Sequence, residues 1–587
     1  MTKEKGSIFD LELFSKLMVF VKPYNKIYYS VMICAILLAG FSVFTPYLLK
    51  ITVDDYIRLK DYNGMVFLIG MMLITLLLEV IFQFLFVYFA NWLGQSVIRD
   101  LRVVLFQKIV GFKMAYFDQS SVGRLVTRAV NDIETIASIF SEGLFMIIAD
   151  LLKMAVVIVI MLIIDWELSL IVFSILPIIL YATRVFQKSM KHAFEEVRSQ
   201  VANLNSFVQE RITGMQIVQL FHREKIEYNQ FVSINEKHKK AWLKTVWYNS
   251  IFFPVAEISS SITLGLLVWY GGLNLAEGGY ISMGTIFLFI QMSQMLFRPL
   301  RHIADKFNTL QMGMVATDRI FKIINTKSQI TNHGKFNPQK IEGKISIKDL
   351  KFSYLPGEEV IKGIDLEIQP GEKIAIVGAT GAGKSTLINL LSRFYEFENG
   401  QIRLDDRSIK DFSLQSLRKH VGIVLQDVFL FADTIFNNIT LYNPDVTRAA
   451  VYEAAHKIGV HNFIQSLPGG YDYNVKERGV VLSSGQRQLI AFLRVYIANP
   501  SVLILDEATS SIDSHSEELI KNATFKITSS KTSVFIAHRL STIENADRIV
   551  VMDSGSIVEQ GTHQELLKIK DGFYAQLYKI QFLEVAV

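Results

Sequence analysis

The stretch KIAIVGATGAGKSTLINLL, residues 373 to 391, decides the fold of the second half of the chain. Its apolar run Ile374 to Val377 predicts a buried strand, and the run LINLL predicts a helix. The glycines between them let the backbone curl tightly, because glycine adopts backbone angles that other residues avoid. A strand, a glycine-rich turn and a helix in this order are typical of one unit of an α/β sheet.

The glycine-rich turn matches the phosphate-binding P-loop pattern, with Gly378, Gly383, Lys384 and Ser385 at the diagnostic positions. Backbone N–H groups are expected to surround phosphate oxygens, Lys384 to reach the β and γ phosphates, and Ser385 to ligate magnesium. A chance glycine-rich turn is the alternative, and the strand-to-helix setting argues against it. The predicted nucleotide-binding segment is Gly378, Ala379, Thr380, Gly381, Ala382, Gly383, Lys384, Ser385 and Thr386.

A second motif, VLILDEATSSID at residues 502 to 513, places two acidic residues at the end of another apolar strand. Such a pair is often only a helix cap. Downstream of a P-loop, we expect Asp506 to serve the magnesium ion and Glu507 to polarise an attacking water. Gln426 follows the run VGIVL and His538 follows SVFIA, so both lie at strand ends, where an open α/β sheet presents its ligand site.

The first three hundred residues have a different character. Apolar stretches long enough to cross a membrane as helices lie near residues 27 to 49, 65 to 93, 141 to 164, 167 to 187, 248 to 275 and 280 to 300. Two long connections rich in Lys and Arg alternate with three short ones. The positive-inside rule therefore predicts that the long connections and both termini are cytosolic. The long connections carry few Gly or Pro residues, so we expect the membrane helices to extend beyond the bilayer.

These patterns predict an all-α transmembrane domain of six helices followed by an α/β P-loop nucleotide-binding domain. The expected boundaries are a cytosolic segment at 1–26, the transmembrane domain at 27–324, a linker at 325–340 and the nucleotide domain at 341–587. The net charge of +5 is small for 587 residues, so nucleic acid is not an expected partner. A single cysteine, Cys34, excludes an intrachain disulfide. No cleavage site follows the first apolar run, so we expect it to stay as a membrane anchor.

The segment LSSGQRQ, Leu482 to Gln488, resembles the signature motif of ATP-binding-cassette (ABC) proteins. The whole chain is similar to an ABC half-transporter of the multidrug and lipid exporter type. Residues 116 to 132 and 209 to 221 are similar to the two intracellular loops of such exporters. The resemblance assigns Tyr354 to adenine stacking, Gln426 to the Q-loop and the metal, Glu507 to catalysis, Asp513 to the D-loop and His538 to the switch.

The resemblance also implies two nucleotide domains that bind ATP between them, with the P-loop of one chain facing Ser483, Gly485 and Gln486 of the other. Magnesium is expected on Ser385, Gln426 and Asp506. The partner would be a second half-transporter, and a homodimer is favoured. Ser484 replaces a usual glycine, VKERG at residues 475 to 479 lacks the usual threonine, and Ile512 is unusually branched. These departures leave open a non-identical partner.

The implied function is export or flipping of a hydrophobic or amphipathic substrate, a lipid or a drug, across the bacterial inner membrane by alternating access, driven by ATP. Two alternatives remain: half of a heterodimer with unequal ATP sites, and a regulated family member that does not pump. Short coupling helices near residues 117–122 and 214–221 would transmit the movement. Glu79 and Lys153 lie within the spans, where they either contact substrate or form a structural pair.

Overall fold

The computed structural model describes residues 11–329, 332, 334–507, 514–537 and 543–579. The chain divides into two compact units. The first consists of the residues up to 110 together with 122–326, and the second consists of 111–121 together with the residues from 327 onward. A short piece of the first long connection therefore belongs to the second unit.

The first unit is helical. Its elements, with α4 of the second unit included in chain order, are α1 (Leu11–Val19), α2 (Asn25–Ile51), α3 (Tyr62–Val110), α4 (Met114–Asp118), α5 (Val122–Thr127), α6 (Ile133–Ser138), α7 (Phe145–Ile164), α8 (Trp166–Thr213), α9 (Met215–Leu220), α10 (Glu224–Ala276) and α11 (Met283–Ile324). Segments of π-helix follow α2, α5 and α6 at Thr52–Ile57, Arg128–Asp132 and Ile139–Leu144.

Five helical segments of the described chain are long and apolar enough to cross a membrane. They are Lys22–Ile57, Tyr62–Val110, Val122–Ile164, Trp166–Thr213 and Glu224–Ala276. The sixth predicted span forms the first half of α11, whose hydropathy is lowered by Gln291, Gln294 and Arg298. The fold is therefore a helical membrane-type domain, as the sequence predicted.

The helices extend far beyond the apolar stretches. α10 has 53 residues, which corresponds to about 80 Å at 1.5 Å per residue and exceeds the roughly 30 Å of a hydrocarbon core. It packs along α8, with the rings of Phe186 and Phe252 stacked at 4.1 Å. At the far end of the pair, the Glu227 carboxylate accepts hydrogen bonds from Arg211 at 2.6 Å and Arg223 at 3.1 Å.

The second unit contains two sheets. Its strands are β1 (Ile345–Ser353), β2 (Glu359–Ile368), β3 (Lys373–Val377), β4 (Asn399–Leu404), β5 (Arg407–Ser408), β6 (Val421–Val424), β7 (Val502–Glu507), β8 (Thr532–Ala537), β9 (Arg548–Asp553) and β10 (Ser556–Gly561). An antiparallel sheet has the order β2-β1-β4-β5, and a larger sheet has the order β10-β9-β3-β8-β7-β6. All neighbours in the larger sheet are parallel except β9 and β10. The predicted α/β fold with a parallel core is confirmed.

Helices flank these sheets. They are α12 (Lys384–Leu391), α13 (Leu414–His420), α14 (Ile435–Thr440), α15 (Arg448–Ile458), α16 (His461–Gln465), α17 (Ser484–Ala498), α18 (Ser514–Thr528), α19 (His563–Leu567) and α20 (Phe573–Tyr578). The apolar strands of the larger sheet are buried, as near-continuous hydrophobic runs in parallel sheets usually are. This rigid parallel sheet fixes the loops at its carboxyl edge.

Candidate nucleotide site

The loop between β3 and α12 adopts backbone angles that explain its glycines. Gly378, Gly381 and Gly383 have φ values of 154°, 87° and 99°. A Cβ atom on Gly378 would lie 2.1 Å from the backbone oxygen of Met552, and one on Gly383 would lie 2.9 Å from the Cδ1 atom of Ile361. The loop can therefore pass close to β9 and β2 only where side chains are absent.

Lys384 begins α12 and is buried under the loop. Its Nζ atom donates hydrogen bonds to the carbonyl oxygens of Gly378 at 2.6 Å and Ala379 at 3.0 Å. Burial lowers the pKa of the Lys384 ammonium, and the negative charge of Asp506 opposes that shift. Strands β3 and β7 are both parallel neighbours of β8, so the P-loop after β3 and Asp506 near the end of β7 lie at the same edge of the larger sheet.

The rim of the loop is accessible. Ala379, Thr380, Gly381 and Ser385 are exposed, whereas Ala382, Gly383 and Thr386 are buried. Exposed backbone at the start of α12 offers N–H donors and the positive end of a helix dipole, which together favour phosphate groups. The arrangement fits the predicted phosphate cradle.

Asp506 and Gln426 reach the same edge of the larger sheet. Asp506 is the penultimate residue of β7. Gln426 is exposed and lies two residues after β6, which is the parallel neighbour of β7. Glu507 is the final residue of β7. His538, Asp513 and Ile512 lie outside the described residues, so the structure adds nothing to the predictions made for them.

The candidate magnesium donors combine one carboxylate, Asp506, with the Ser385 hydroxyl and the Gln426 amide. Within the described ranges, no group of three or more His, Cys, Asp or Glu side chains could hold a metal ion by itself. Magnesium usually binds through one or two carboxylates and the phosphates of its nucleotide. The donor set therefore fits a magnesium ion that arrives with a nucleotide.

Tyr354 lies just after β1 and presents a partly exposed ring. Its hydroxyl donates to the Thr386 hydroxyl at 3.2 Å, which fixes the ring beside the start of α12. The rings of Phe352 and Tyr395 meet it edge-on, with centroids at 4.9 and 5.0 Å. Sequence reasoning missed the support from Tyr395, whose only signal is an aromatic residue shortly after the predicted helix.

The signature segment forms the start of α17. Ser483 is the N-cap, and its side chain accepts a hydrogen bond from the Gln486 N–H at 3.2 Å, while the Gln486 side chain accepts one from the Ser483 N–H at 3.0 Å. The Ser483 hydroxyl accepts in this capping box, so its own hydrogen remains available as a donor. Ser483 is exposed and Gly485 is buried.

The segment VKERG, residues 475 to 479, holds strained backbone. Lys476 and Arg478 have φ values of 59° and 54°, a region that costs non-glycine residues roughly 1 to 2 kcal/mol each. Buried Val475 and Gly479 anchor the segment at either side, and the three residues between them are exposed. Strain held at an exposed segment is a feature of functional sites.

Two short helices interrupt the long rods at the predicted coupling positions. Before α4, the Lys113 N–H donates to the Ser328 carbonyl at 2.7 Å within the second unit. In the first unit, α9 and the residue after it expose Ile217, Leu220 and Phe221, each more than half accessible, while Val218 is buried. A six-residue helix with an exposed apolar face is a candidate docking element.

The membrane unit contains a charged cluster. Lys153 of α7 lies within electrostatic range of Glu79, Asp150 and Arg298. Asp150 also forms an ion pair with Lys306 of α11. Glu79 and Lys153 therefore belong to one group of mixed charges, in which the ion pair that the structure shows directly is Asp150 with Lys306.

A P-loop α/β domain fused to helices of membrane-spanning length indicates a membrane protein that binds a nucleotide. Comparisons with known proteins then identify its family: residues 28–300 match the ABC transporter transmembrane region, and residues 361–510 match the ABC transporter family. The chain belongs to the ABC transporter family, as a half-transporter of the exporter type. It is a multi-pass membrane protein that binds ATP, works as a dimer and couples ATP hydrolysis to export.

Three relatives align with this chain over nearly their full lengths. An uncharacterized ABC transporter ATP-binding protein, YknV of Bacillus subtilis (strain 168), is 35% identical over 97% of this chain and 94% of its own. The ATP-dependent lipid A-core flippase of Syntrophus aciditrophicus (strain SB) is 32% identical over 98% and 95%. A Staphylococcus aureus (strain NCTC 8325 / PS 47) protein named "Putative multidrug export ATP-binding/permease protein SAOUHSC_02003" is 36% identical over 96% and 99%.

Proposed function

We propose that two copies of this chain form an exporter or flippase for hydrophobic or amphipathic molecules, lipids or drugs, in the bacterial inner membrane. The observation that carries the proposal is that the P-loop with Lys384 and the acid Asp506 lie at the same edge of one parallel sheet, in a chain whose other half is made of membrane-length helices. Relatives named as a lipid A-core flippase and as a multidrug export protein support the substrate class.

In the proposed reaction, loop N–H groups and Lys384 hold the β and γ phosphates, and Tyr354 stacks on adenine. Glu507 orients the attacking water, with His538 and Gln426 completing the site. A magnesium ion, held by Ser385, Gln426 and Asp506, would neutralise charge that develops on the phosphates. The partner's Ser483 hydroxyl, Gly485 and Gln486 backbone and D-loop Asp513 close the site from the opposite chain.

The two-chain site gives hydrolysis a mechanical consequence. The partner's α17 is attracted by the negative γ-phosphate, and it loses that attraction when the phosphate leaves. The apolar face of α9 and the segment around α4 would carry the resulting movement to the membrane helices. Closing and opening the nucleotide domains then switches the membrane path between its two sides.

The proposed orientation places both termini, the nucleotide domain and the two long connections in the cytosol. The long connections hold clustered cations, including Arg99, Arg102 and Lys108 in one and Lys237 and Lys240 in the other. The three short connections hold few Lys or Arg residues. This asymmetry follows the positive-inside rule.

A heterodimer with unequal ATP sites is a second candidate, which Ser484 favours because it adds a side chain where the family has glycine. A transport assay separates a pump from a non-pumping relative. Inverted vesicles containing the chain are expected to accumulate a fluorescent amphipathic dye when ATP is added, and vesicles with Lys384→Met are not. Equal dye entry with and without ATP would contradict active export.

A further inference from the structure

The turn that joins α8 to α10 and contains α9 has an exposed surface with two exceptions. Among residues 209 to 230, all of which the structure describes, only Val218 and Glu227 are buried. Val218 is the buried side of α9. Glu227 is an acid in the first turn of α10, and a buried charge is costly unless it is paired and hydrogen-bonded. The contacts of Glu227 therefore need an explanation.

The partners of Glu227 come from both flanks of α9. Arg211 lies in the last turn of α8, before α9, and Arg223 is the N-cap residue of α10, after α9. The Oε2 atom of Glu227 accepts a hydrogen bond from the Nε atom of Arg211 at 2.6 Å, and its Oε1 atom accepts one from the Nε atom of Arg223 at 3.1 Å. One carboxylate thus joins the two ends of the turn at its base.

Backbone hydrogen bonds tie α9 itself to the same two flanks. The Gly214 N–H donates to the Glu210 carbonyl at 2.9 Å, and the Val218 N–H donates to the Gly214 carbonyl at 3.1 Å. On the other side, the Arg223 N–H donates to the Val218 carbonyl at 2.9 Å. The orientation of α9 therefore depends on how the end of α8 and the start of α10 are held together, which is what Glu227 does.

The pairing of α8 with α10 does not depend on Glu227. Aromatic rings of the two helices meet at three levels, with centroids 4.1, 6.4 and 6.4 Å apart, in the pairs Phe186 with Phe252, Phe194 with Trp242, and Phe207 with Phe231. Loss of the Glu227 charge should therefore act on the turn and leave the paired helices intact.

The two arginines would respond differently to that loss. Arg211 would keep an ion pair with the exposed Glu210, at 3.0 Å. Among the described residues, Arg223 pairs with Glu227 alone. The two guanidinium groups would also repel each other once the carboxylate between them is neutral. The flank of α9 at Arg223 is the one expected to come loose.

We propose that Glu227 is a positioning residue for the coupling of ATP hydrolysis to export. It holds α9 at a fixed angle to the long helices, so a force on the apolar face of α9 moves α8 and α10 together instead of bending the turn. The proposal rests on the coupling role given to α9 under Proposed function. It requires no contact of Glu227 with nucleotide or substrate.

The first test measures the turn directly, by hydrogen–deuterium exchange of the purified full-length chain. Glu227→Gln keeps the size of the side chain and removes its charge, and we expect the amides of residues 214 to 223 to exchange about tenfold faster than in the wild type. Glu224→Gln is the matched control, because it makes the same change at an exposed position in the same turn of α10. Unchanged exchange in Glu227→Gln, or an equal increase in both variants, would overturn the proposal.

The second test separates positioning from a general loss of stability. In inverted vesicles, Glu227→Gln should lower the amount of dye accumulated per ATP hydrolysed about fivefold, while the KM for ATP stays at the wild-type value. A merely structural role would lower hydrolysis and accumulation together and leave their ratio unchanged, which would overturn the proposal.

A double variant tests whether Glu227 acts through Arg223. Adding Arg223→Gln to Glu227→Gln should cause no larger loss than Glu227→Gln alone, because both changes break one interaction. Additive losses would contradict the proposal. If wild-type vesicles accumulate no dye, the proposed function fails, whereas the exchange measurement still decides whether Glu227 positions α9.

Discussion

Gly378 and Gly381 belong to one loop but face different constraints. A Cβ atom on Gly378 would lie 2.1 Å from the Met552 carbonyl oxygen, whereas one on Gly381 would meet nothing within 4 Å. We expect Gly378→Ala to lower the thermal unfolding midpoint of the purified chain clearly more than Gly381→Ala. The second substitution costs only the left-handed strain of about 1 kcal/mol. Equal midpoints for the two variants would show that the backbone at Gly378 does not pack tightly against Met552 of β9.

At the residue scale, the two motifs were enough to predict that Lys384 and Asp506 belong to the same nucleotide site, although they are 122 positions apart in the sequence. The prediction was possible because each motif follows a strand, and the carboxyl ends of parallel strands lie at the same edge of a sheet. The contacts around Tyr354 were not predictable, since they depend on packing between residues distant in the sequence. The Ser483–Gln486 capping box matches the S-x-x-Q pattern that predicts a helix start. The sequence analysis assigned these two residues to the nucleotide site and did not predict the cap.

At the element scale, α9 carries the proposed coupling through its exposed Ile217, Leu220 and Phe221. Leu220→Asp should disrupt docking of this face, because a charge loses free energy when it is removed from water. We expect ATP-driven dye accumulation to fall roughly tenfold, equivalent to about 1.4 kcal/mol, while basal ATP hydrolysis persists.

Gln219→Asp provides the control for this substitution. It adds the same charge at the neighbouring exposed polar position and should leave dye accumulation close to the wild-type level. A similar loss in both variants, or no loss in Leu220→Asp, would count against the role assigned to the apolar face of α9.

Helix length was the element property best predicted from sequence. The scarcity of Gly and Pro after residue 187 indicated that the helix would continue, and α8 does run to Thr213. The prolines within α2, α8, α10 and α11 did not end those helices. The π-helical segments had no sequence signal that we recognise, because they depend on how neighbouring helices pack.

At the scale of the whole molecule, Asp54 links two of the proposed outer connections. Its carboxylate accepts hydrogen bonds from the Ser282 hydroxyl at 2.5 Å and from the Gly284 N–H at 2.8 Å, at the start of α11. Alternating access requires the outer ends of the membrane helices to separate. Breaking this link should therefore favour the outward-open form.

We expect Asp54→Ala to increase the outward-open fraction, measured as spin-label distances between outer helix ends. Asp55→Ala is the control, since Asp55 is adjacent and exposed. Identical distance distributions in Asp54→Ala and the wild type would show that the contact does not restrain opening.

The sequence predicted the two-part architecture, because apolar runs of membrane length and a P-loop strand pattern are strong local signals. Substrate and partner choice are not local properties. They depend on the cavity between two chains and on the small energetic effect of residues such as Ser484. The role of the charged cluster around Lys153 is likewise not predictable from local sequence, because its mixed charges fit a structural network and a substrate contact equally well.

The measurement that tests the central claim most directly is ATP hydrolysis by the purified chain alone in lipid nanodiscs, beside Glu507→Gln. If two identical chains form complete sites, the wild type turns over ATP and Glu507→Gln loses about a hundredfold or more of that rate. Absence of turnover in a folded, ATP-binding wild type would contradict the homodimer and require a second, non-identical half-transporter. Equal rates for the two proteins would contradict the catalytic role of Glu507.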